Sequence, residues 1–447
     1  CASIFIPLSA LSLAIAIAVP IFSDMFRPTL DTVFGQGKLI TEENKNIDTD
    51  YYKKKSDTEA LEESVNLTSK IAEEGVVLLK NDNCLPLDEN EIISPFGYNY
   101  YRTGFTGGSS SWNGAKLETI SLAESIKKNF KINTSIDNIT RNAKVKTSAA
   151  APNTSPVDIK TVNNGTRHPI NNLEFSSYNG HEADLNGTIG IMVISRQGGE
   201  GADLKMDGYV GGSKHALQLT SEELSTLRFM KANCKKTILI STAINILEIN
   251  DETNALCDAI LYMPNPGSAG ASVIGDILSG KINPSGKLVD TWPYDITTSP
   301  SFASFGPDST LTYSNKSANF VEYLEGIYVG YRYYVTRAND DTNFKYEDYV
   351  QYSFGEGLSY TKFEKYINDY TVDLVNQKIS IQVAVKNIGN VAGKEVVEIY
   401  NTAPYTSRIE KSHVELVGFE KTNLIEPNET FYARINIDLK SLASWDN

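Results

Sequence analysis

Cysteine, histidine and net positive charge are all scarce in this 447-residue sequence. Its four cysteines lie far apart and predict neither a disulfide framework nor a metal site. They are Cys1, Cys84, Cys234 and Cys257. The four histidines show no spacing typical of metal ligands either. They are His168, His181, His215 and His413. The sequence therefore predicts no metal site and no cofactor.

Basic residues are too few to predict a nucleic-acid partner. Lys and Arg total 41 against 55 Asp and Glu, which gives a formal net charge of −14 at pH 7. Proteins that bind nucleic acid carry a basic patch or stripe, and no such footprint is present here. Hydrophobic residues at 41% and charged residues at 21% are typical of a globular chain. Its length is sufficient for two or three domains.

Charge is missing altogether from residues 1–23. A helix of this length, at about 1.5 Å per residue, covers the roughly 30 Å of a bilayer core. The apolar region of a signal peptide is usually only about 7–15 residues long. We therefore expect an uncleaved membrane anchor, with the body of the protein outside the cytoplasm. Cleavage of a signal segment after 16–18 is the alternative, and the first residue, Cys1, leads us to expect an incomplete start.

Helix and strand patterns alternate after a polar tether over residues 24–55. Ser56 and Glu59 have the spacing of a capping box, which predicts a helix that ends at Gly75. A second capping box is predicted at 220–223, and a further helix at 268–278. Buried strands are predicted at 76–80, 189–194, 237–240 and 259–263. This alternation predicts a mainly parallel sheet covered by helices on both faces, over residues 56–295.

The pattern changes to period two from residue 366 onward. Strands are predicted at 379–385, 396–400 and 431–437, with turns between them. These features predict an antiparallel β-sandwich over 366–447, which a segment over 296–365 connects to the α/β domain.

Glu200 is the leading candidate for a chemical role. It lies in a glycine-rich loop, 198–201, directly after the apolar run 189–194. In parallel sheets, ligands bind in the loops just past the carboxyl ends of the strands. The three glycines allow a sharp bend and a close approach by a substrate. A solvated acidic turn explains the same residues at least as well, because Gly-Glu-Gly is a common sequence.

The stretch from Ser195 to Asp203 resembles the acid/base loop of glycoside hydrolase family 3, the β-glucosidase and β-xylosidase family. In that family a strand ending in Ser-Arg is followed by Gly-Glu-Gly-x-Asp, so the resemblance implies that Glu200 is the proton donor. The chain departs from the family at Leu204, where Arg is usual. The resemblance also predicts four substrate-binding residues. They are Arg196, Asp203, Ser109 and Trp112.

The loop at 107–112, which contains Ser109 and Trp112, has alternative explanations. Its Gly-Gly-Ser-Ser-Ser run is glycine-rich, but it lacks the lysine and the spacing of a phosphate-binding P-loop. The resemblance implies a loop of the α/β sandwich domain near the active site. Core packing explains Trp112 about as well as stacking on a sugar.

Further tracts resemble the same family and occur in its order. Those of the α/β domain and the connecting segment are 74–81, 85–87, 283–288, 325–333 and 354–361. Glu356 stands where Tyr or His is more usual, and together with Asp203 it is the next candidate for the proton donor. Residues 387–396 and 416–421 resemble the fibronectin type III-like module of the family.

A second catalytic carboxylate is missing from these patterns. Retaining glycosidases use two carboxylates about 5–5.5 Å apart. The resemblance implies that the nucleophile is an Asp on a (β/α)₈ barrel, a fold of about 250 residues. Residues 1–55 are too few to form such a barrel, and in members of the family with swapped domain order the barrel follows the β-sandwich. We therefore expect an incomplete β-sandwich and a partner barrel in the full-length protein.

The sequence thus predicts part of a membrane-anchored retaining exo-β-glycosidase. Its expected substrate is an oligosaccharide or other β-glycoside with a terminal β-linked sugar. This chain would supply the acid/base carboxylate and, on its own, would be an inactive fragment. The alternative is a non-catalytic, membrane-anchored surface protein that binds carbohydrate or acts as an adhesive module.

Overall fold

The structure is a computed structural model. It describes residues 56–102, 120–148, 170–196, 204, 215–264, 266–304, 312–314, 319–321 and 323–444. The chain divides into two compact units, residues 1–60 and 61–447. The predicted membrane segment and the whole of the tether, residues 1–55, lie outside the described residues. No helix in the described ranges is long and apolar enough to cross a bilayer, and the anchor stays a prediction.

Helix α1, Asp57–Gly75, begins where the sequence predicts. The backbone N–H of Ser56 donates to the Glu59 carboxylate at 2.9 Å, and the N–H of Glu59 donates to Ser56 Oγ at 3.3 Å. These two bonds form the predicted capping box, which satisfies backbone donors that the first helical turn leaves unpaired.

The strands of the α/β part form one large sheet and a separate pair. In chain order they are β1 Val77–Asn81, β2 Ile92–Phe96, β3 Lys131–Ile132, β4 Val145–Ser148, β5 Ile170–Leu173, β6 Ile189–Ile194, β7 Lys236–Ser241 and β8 Ala259–Tyr262. The large sheet has the order β1-β8-β7-β6-β2-β3, and β4 pairs with β5. Within the large sheet only the contact between β1 and β8 is antiparallel. The prediction of a mainly parallel sheet is confirmed.

Helices cover both faces of this sheet, as predicted. After α1 they are α2 Leu122–Asn129, α3 Thr134–Asn142, α4 Ser221–Asn233, α5 Asp251–Leu256, α6 Gly267–Gly270 and α7 Ile274–Leu278. Side chains of β6 alternate between two cores: Ile191 belongs to the core that includes residues of α2 and α7. Met192 belongs to the core that includes residues of α3 and α4. This alternation follows from the period-two geometry of a strand and explains why β6 is apolar throughout.

The helix predicted over 268–278 is interrupted in the structure. It forms α6, a 3₁₀ turn at Ala271–Val273 and then α7. The hydroxyl of Ser125 donates to the Ser272 carbonyl at 2.7 Å and accepts from the Gly275 N–H at 3.0 Å. A side chain inserted into the backbone ladder in this way breaks a helix.

The connecting segment contains short paired strands and two helices. These are β9 Trp292–Pro293, β10 Thr312–Ser314, β11 Asn319–Val321, α8 Tyr331–Asp340, α9 Tyr346–Tyr349 and β12 Val350–Tyr352. Strand β9 pairs with β12 and β10 with β11, both antiparallel.

The last strands form two small antiparallel sheets. They are β13 Phe363–Asp373, β14 Lys378–Asn387, β15 Val396–Asn401, β16 Glu415–Lys421 and β17 Thr430–Asp438. Strand β14 lies between β13 and β17, and β15 pairs with β16. Residues from both sheets, such as Val383 and Val397, share one hydrophobic core. The predicted change to antiparallel structure is confirmed.

The strand order of the large sheet reverses between β2 and β6. From β2 the chain continues to β3 at one edge, whereas β6, β7 and β8 follow one another toward the other edge. At such a switch point the loops leave two neighbouring strands in opposite directions and open a crevice at their carboxyl ends, where ligands bind in open α/β sheets.

Candidate functional site

A small surface cleft lies at this switch point. Gly97 and Tyr98 follow β2 on one side, and Ile194 at the end of β6 lines the other. Asn172 and Thr226 add polar groups to the wall. The cleft therefore lies next to the point at which the chain leaves β6 toward Glu200.

Gly97 holds the two strand ends close together. Its backbone φ is +85°, a conformation that residues with a Cβ rarely adopt. A Cβ at this position would also lie 2.7 Å from the Val193 carbonyl oxygen. Only glycine fits at this position. Its tight turn allows β2 and β6 to end side by side at the cleft.

Arg196, two residues past the end of β6, is buried with 1% of its surface exposed. Its Nε donates to the Ala216 carbonyl at 2.6 Å, and one terminal nitrogen donates to the Gln218 carbonyl at 2.9 Å. The other terminal nitrogen donates to the Ser195 carbonyl at 2.9 Å. Both terminal nitrogens also donate to the Glu223 carboxylate, at 2.9 and 2.7 Å. All five N–H donors of the guanidinium therefore have protein acceptors.

Glu223 is itself fixed by the start of helix α4. The Thr220 N–H donates to Glu223 Oε2 at 2.8 Å, and the Glu223 N–H donates to Thr220 Oγ1 at 3.3 Å. This is the second predicted capping box, now confirmed. Asn172 of β5 donates to Thr220 Oγ1 at 3.0 Å. The carboxylate that receives Arg196 thus has its position set by a helix end and a neighbouring strand.

Residues 215–218, where the described chain resumes after the Glu200 loop, contact a second buried carboxylate. Glu248 Oε2 accepts from Gln218 Nε2 at 2.7 Å, and Glu248 Oε1 lies 3.1 Å from His215 Nε2. The N–H of Ile296 also donates to Glu248 Oε1, at 2.7 Å. His215 and Glu248 are 3% and 5% exposed. Because both groups are buried, a hydrogen bond between them is electrostatically stronger than it would be in water.

Most of the predicted site residues lie outside the described residues, so their roles stay predictions. They are Glu200, Asp203, Ser109 and Trp112. Arg196 is described, and the structure places it in the buried network. A direct contact between Arg196 and a sugar would require one of its five hydrogen bonds to break.

Glu356, the alternative proton donor, lies elsewhere along the sheet. Burial raises the pKa of this carboxyl group, and hydrogen bonding from the Ser353 N–H at 2.7 Å opposes the rise. Its neighbour Leu358 donates a backbone hydrogen bond to Leu78 of β1 at 2.8 Å. Three strand spacings separate β1 from β6, or roughly 14 Å at about 4.8 Å each. Glu356 thus adjoins a strand well removed from the switch point.

Sequence reasoning missed the two carboxylates that organise this region, Glu223 and Glu248. Glu223 is visible in the sequence as a helix cap, but its partner Arg196 is 27 positions away and no local pattern connects them. In the described part of the chain, no group of three or more His, Cys, Asp or Glu side chains is arranged to hold a metal ion.

Comparison with known families finds two matches along the chain. Residues 76–331 match the glycosyl hydrolase family 3 C-terminal domain. Residues 395–447 match the fibronectin type III-like domain. The first match alone covers more than half of the 447 residues.

Curated relatives are similar to part or most of this chain but are much longer. A β-glucosidase of Ruminococcus albus is 31% identical over 390 residues, which cover 86% of this chain and 37% of that protein. The thermostable β-glucosidase B of Acetivibrio thermocellus is 36% identical over 185 residues, or 40% of this chain and 22% of that protein. The chain thus spans well under half the length of these relatives.

Solved structures show the same fold over the same share of the chain. β-Glucosidase 3B of Thermotoga neapolitana, in complex with glycerol, superposes with a TM-score of 0.68 at 29% identity, covering 86% of this chain and 50% of that one. A β-glucosidase of Paenibacillus barengoltzii superposes with a TM-score of 0.69 at 26% identity, covering 86% of this chain and 39% of that one.

Proposed function

Because the chain belongs to glycoside hydrolase family 3, we propose that it forms the acid/base part of a retaining exo-β-glycosidase. The proposed reaction is hydrolysis of terminal β-linked sugars. The relatives reported above are named β-glucosidases, which favours β-glucosides as substrates. The proposal concerns the full-length protein, since this chain covers only part of its relatives.

The main support for the proposal is the position in the sheet at which the chain leaves β6 toward Glu200. The chain leaves β6 at Ser195 and Arg196, beside the cleft at the switch point. Loops at this position in open α/β sheets are where ligands bind. Glu200 follows Arg196 by only four residues. We infer that its carboxylate can reach a sugar bound at the carboxyl ends of the strands.

In the proposed mechanism Glu200 acts twice. In the first step it donates its proton to the glycosidic oxygen while an aspartate attacks the anomeric carbon and the aglycone departs. In the second step the Glu200 carboxylate removes a proton from water, and that water displaces the aspartate from the anomeric carbon. The sugar leaves with its β-configuration retained, and both carboxylates return to their starting protonation states.

The nucleophilic aspartate is proposed to lie on a (β/α)₈ barrel of the full-length protein. The family resemblance supports this assignment. We further propose that residues 56–295 carry the acid/base loop and that residues 366–447 form the fibronectin type III-like module. The segment over 296–365 connects them.

Substitution of Glu200 in the full-length enzyme tests the proposal. Glu200→Ala is expected to reduce the glycosylation rate by about 10²–10⁴-fold for an alkyl β-glucoside, the usual contribution of general acid catalysis. The same variant should change glycosylation far less for a dinitrophenyl glucoside, whose leaving group needs little protonation. The measurement is kcat/KM for both substrates, with Glu89→Ala, a carboxylate with 65% side-chain exposure, as the matched control. Equal losses on the two substrates would assign Glu200 a binding or structural role.

A further inference from the structure

One buried guanidinium connects the two ends of the loop that contains Glu200. Arg196 lies at the outgoing end, and it donates to the carbonyls of Ala216 and Gln218 at the returning end. The intervening loop, 197–214, has 18 residues. Because both returning carbonyls bond to one planar group, the geometry of that group sets the separation of the two ends.

The guanidinium is held in a fixed orientation. Its two terminal nitrogens meet the two oxygens of Glu223 in a bidentate pair. The side chains of Arg196 and Glu223 are 0% and 3% exposed. A planar fork of five donors satisfies this set of acceptors, and the point charge of a lysine cannot reproduce it.

The returning end has a second, independent attachment. The backbone N–H of Glu248 donates to the Leu217 carbonyl at 3.0 Å. The Glu248 side chain accepts from Gln218 and lies in contact with His215, as described above. Glu248 therefore anchors residues 215–218 to the segment after β7, while Arg196 joins them to the end of β6.

We propose that Arg196 is a positioning residue for the acid/base. It holds together the two ends of the segment that carries Glu200, Arg196 at one end and residues 215–218 at the other. The inference rests on the proposed role of Glu200. It gives Arg196 an indirect role, through the loop, in place of the direct sugar contact that the sequence predicts. Displacement of a catalytic group by about 1 Å costs on the order of 10²-fold in rate, so such control affects catalysis strongly.

The first test is Arg196→Lys in the full-length enzyme. We expect kcat/KM for an alkyl β-glucoside to fall by roughly 10–100-fold, with a much smaller fall for a dinitrophenyl glucoside. This selectivity follows because a misplaced acid affects only leaving groups that need a proton. The control is Arg228→Lys on the same helix as Glu223. Arg228 forms an ion pair with Glu252, and the two side chains are 53% and 44% exposed. Arg228→Lys should therefore change kcat/KM for neither substrate.

A double-mutant cycle separates positioning from general loss of structure. If Arg196 acts through Glu200, then Arg196→Lys should have little further effect, under about 2-fold, once Glu200 is alanine. The substrate is phenyl β-glucoside, because its leaving group is of intermediate quality. It gives a measurable kcat/KM for the wild type, both single variants and the double variant. An equal loss in both backgrounds would overturn the proposal.

Glu223→Gln provides a second route if the lysine variant fails to fold. It keeps the shape of the Arg196 partner, removes its charge and should show the same selectivity and the same non-additivity. Loss of activity without leaving-group selectivity, in a variant with unchanged thermal unfolding, would refute the positioning role. The role of Glu200 itself fails in a different way, because then Glu200→Ala shows no selectivity of its own.

Discussion

At the residue scale, Glu74 links the end of α1 to the antiparallel strands near the C-terminus. Its carboxylate accepts from Lys394, and from Lys421 at 2.6 Å. Lys421 also donates to the Glu74 carbonyl at 2.9 Å. One acidic residue thus holds two lysines from the region of β15 and β16 against the helix. Its ionisation state is therefore coupled to the contact between the α/β part and the antiparallel part.

We expect the ionised Glu74 to stabilise the folded protein and this stabilisation to be lost at low pH. Burial works to raise its pKa, but the hydrogen bonds from Lys394 and Lys421 outweigh burial and lower it below the ordinary 4.5. Because the folded-state pKa is depressed, the contribution is present above about pH 4.5 and is lost as pH falls through the folded-state pKa. Glu74→Gln should therefore destabilise the protein near pH 7 by up to about 1 kcal/mol, the limit for partly exposed pairs.

The measurement for Glu74 is urea unfolding of the wild type and Glu74→Gln between pH 3 and 7. The difference in midpoint should be largest near neutrality and should vanish at the acid end. Glu73→Gln removes the same charge one residue earlier and should show a smaller difference at pH 7. A difference for Glu74→Gln that does not change with pH would contradict the assignment.

At the element scale, the turn before the connecting segment packs against the start of β1. A Cβ on Gly286 would lie 2.5 Å from the Val76 carbonyl oxygen and 2.6 Å from that of Gly75. The Gly286 N–H donates to the Val76 carbonyl at 3.0 Å. This close approach gives a physical reason for glycine in the 283–288 tract.

Gly286→Ala is expected to lower the free energy of unfolding by about 1–3 kcal/mol, the usual cost of forcing extra volume into a packed site. Gly75→Ala is the matched control, because a Cβ at Gly75 has no atom within 4 Å. Chemical unfolding of both variants measures the difference. If the two alanine variants were equally stable, the backbone contact at Gly286 would not be the reason for glycine there.

Local patterns predicted most elements of the α/β part because both capping boxes and buried strands are encoded within a few residues. Strand β6 has the bounds that the apolar run predicts, Ile189–Ile194. The direction of β1 was not predictable, since a strand buried on both faces is apolar whichever way it runs. The break after α6 was not predictable either. It depends on Ser125, which is 147 positions from Ser272.

The candidate site was predictable only in part. The sequence placed a carboxylate just past a buried strand, and the structure confirms that strand and its position at the switch point. The Arg196–Glu223 pair and the Glu248 contacts depend on tertiary packing between segments that are 20 to 30 residues apart in sequence. No periodicity or motif in a single sequence records such pairs.

At the scale of the whole molecule, we expect this 447-residue chain alone to have no glycosidase turnover. It would carry the acid/base but not the nucleophile, and retention requires both. The assay uses aryl β-glucosides and β-xylosides with the isolated chain. Turnover that disappears in Glu200→Gln would contradict the prediction and would imply a second catalytic carboxylate within these residues.

The predicted anchor is also a property of the whole molecule. If residues 1–23 span a bilayer, the expressed protein should remain in the membrane fraction after a carbonate wash. A soluble product that begins near residue 19 would identify a cleaved signal segment instead.

Azide rescue of Glu200→Ala in the full-length enzyme tests directly whether Glu200 is the acid/base. A covalent α-linked sugar–enzyme intermediate should form from a dinitrophenyl β-glucoside, and azide, which needs no general base, should attack it. We expect accelerated turnover and accumulation of β-glucosyl azide, identified by NMR. The wild type, whose Glu200 activates water, should produce glucose. If azide neither accelerates Glu200→Ala nor gives glucosyl azide, Glu200 is not the acid/base.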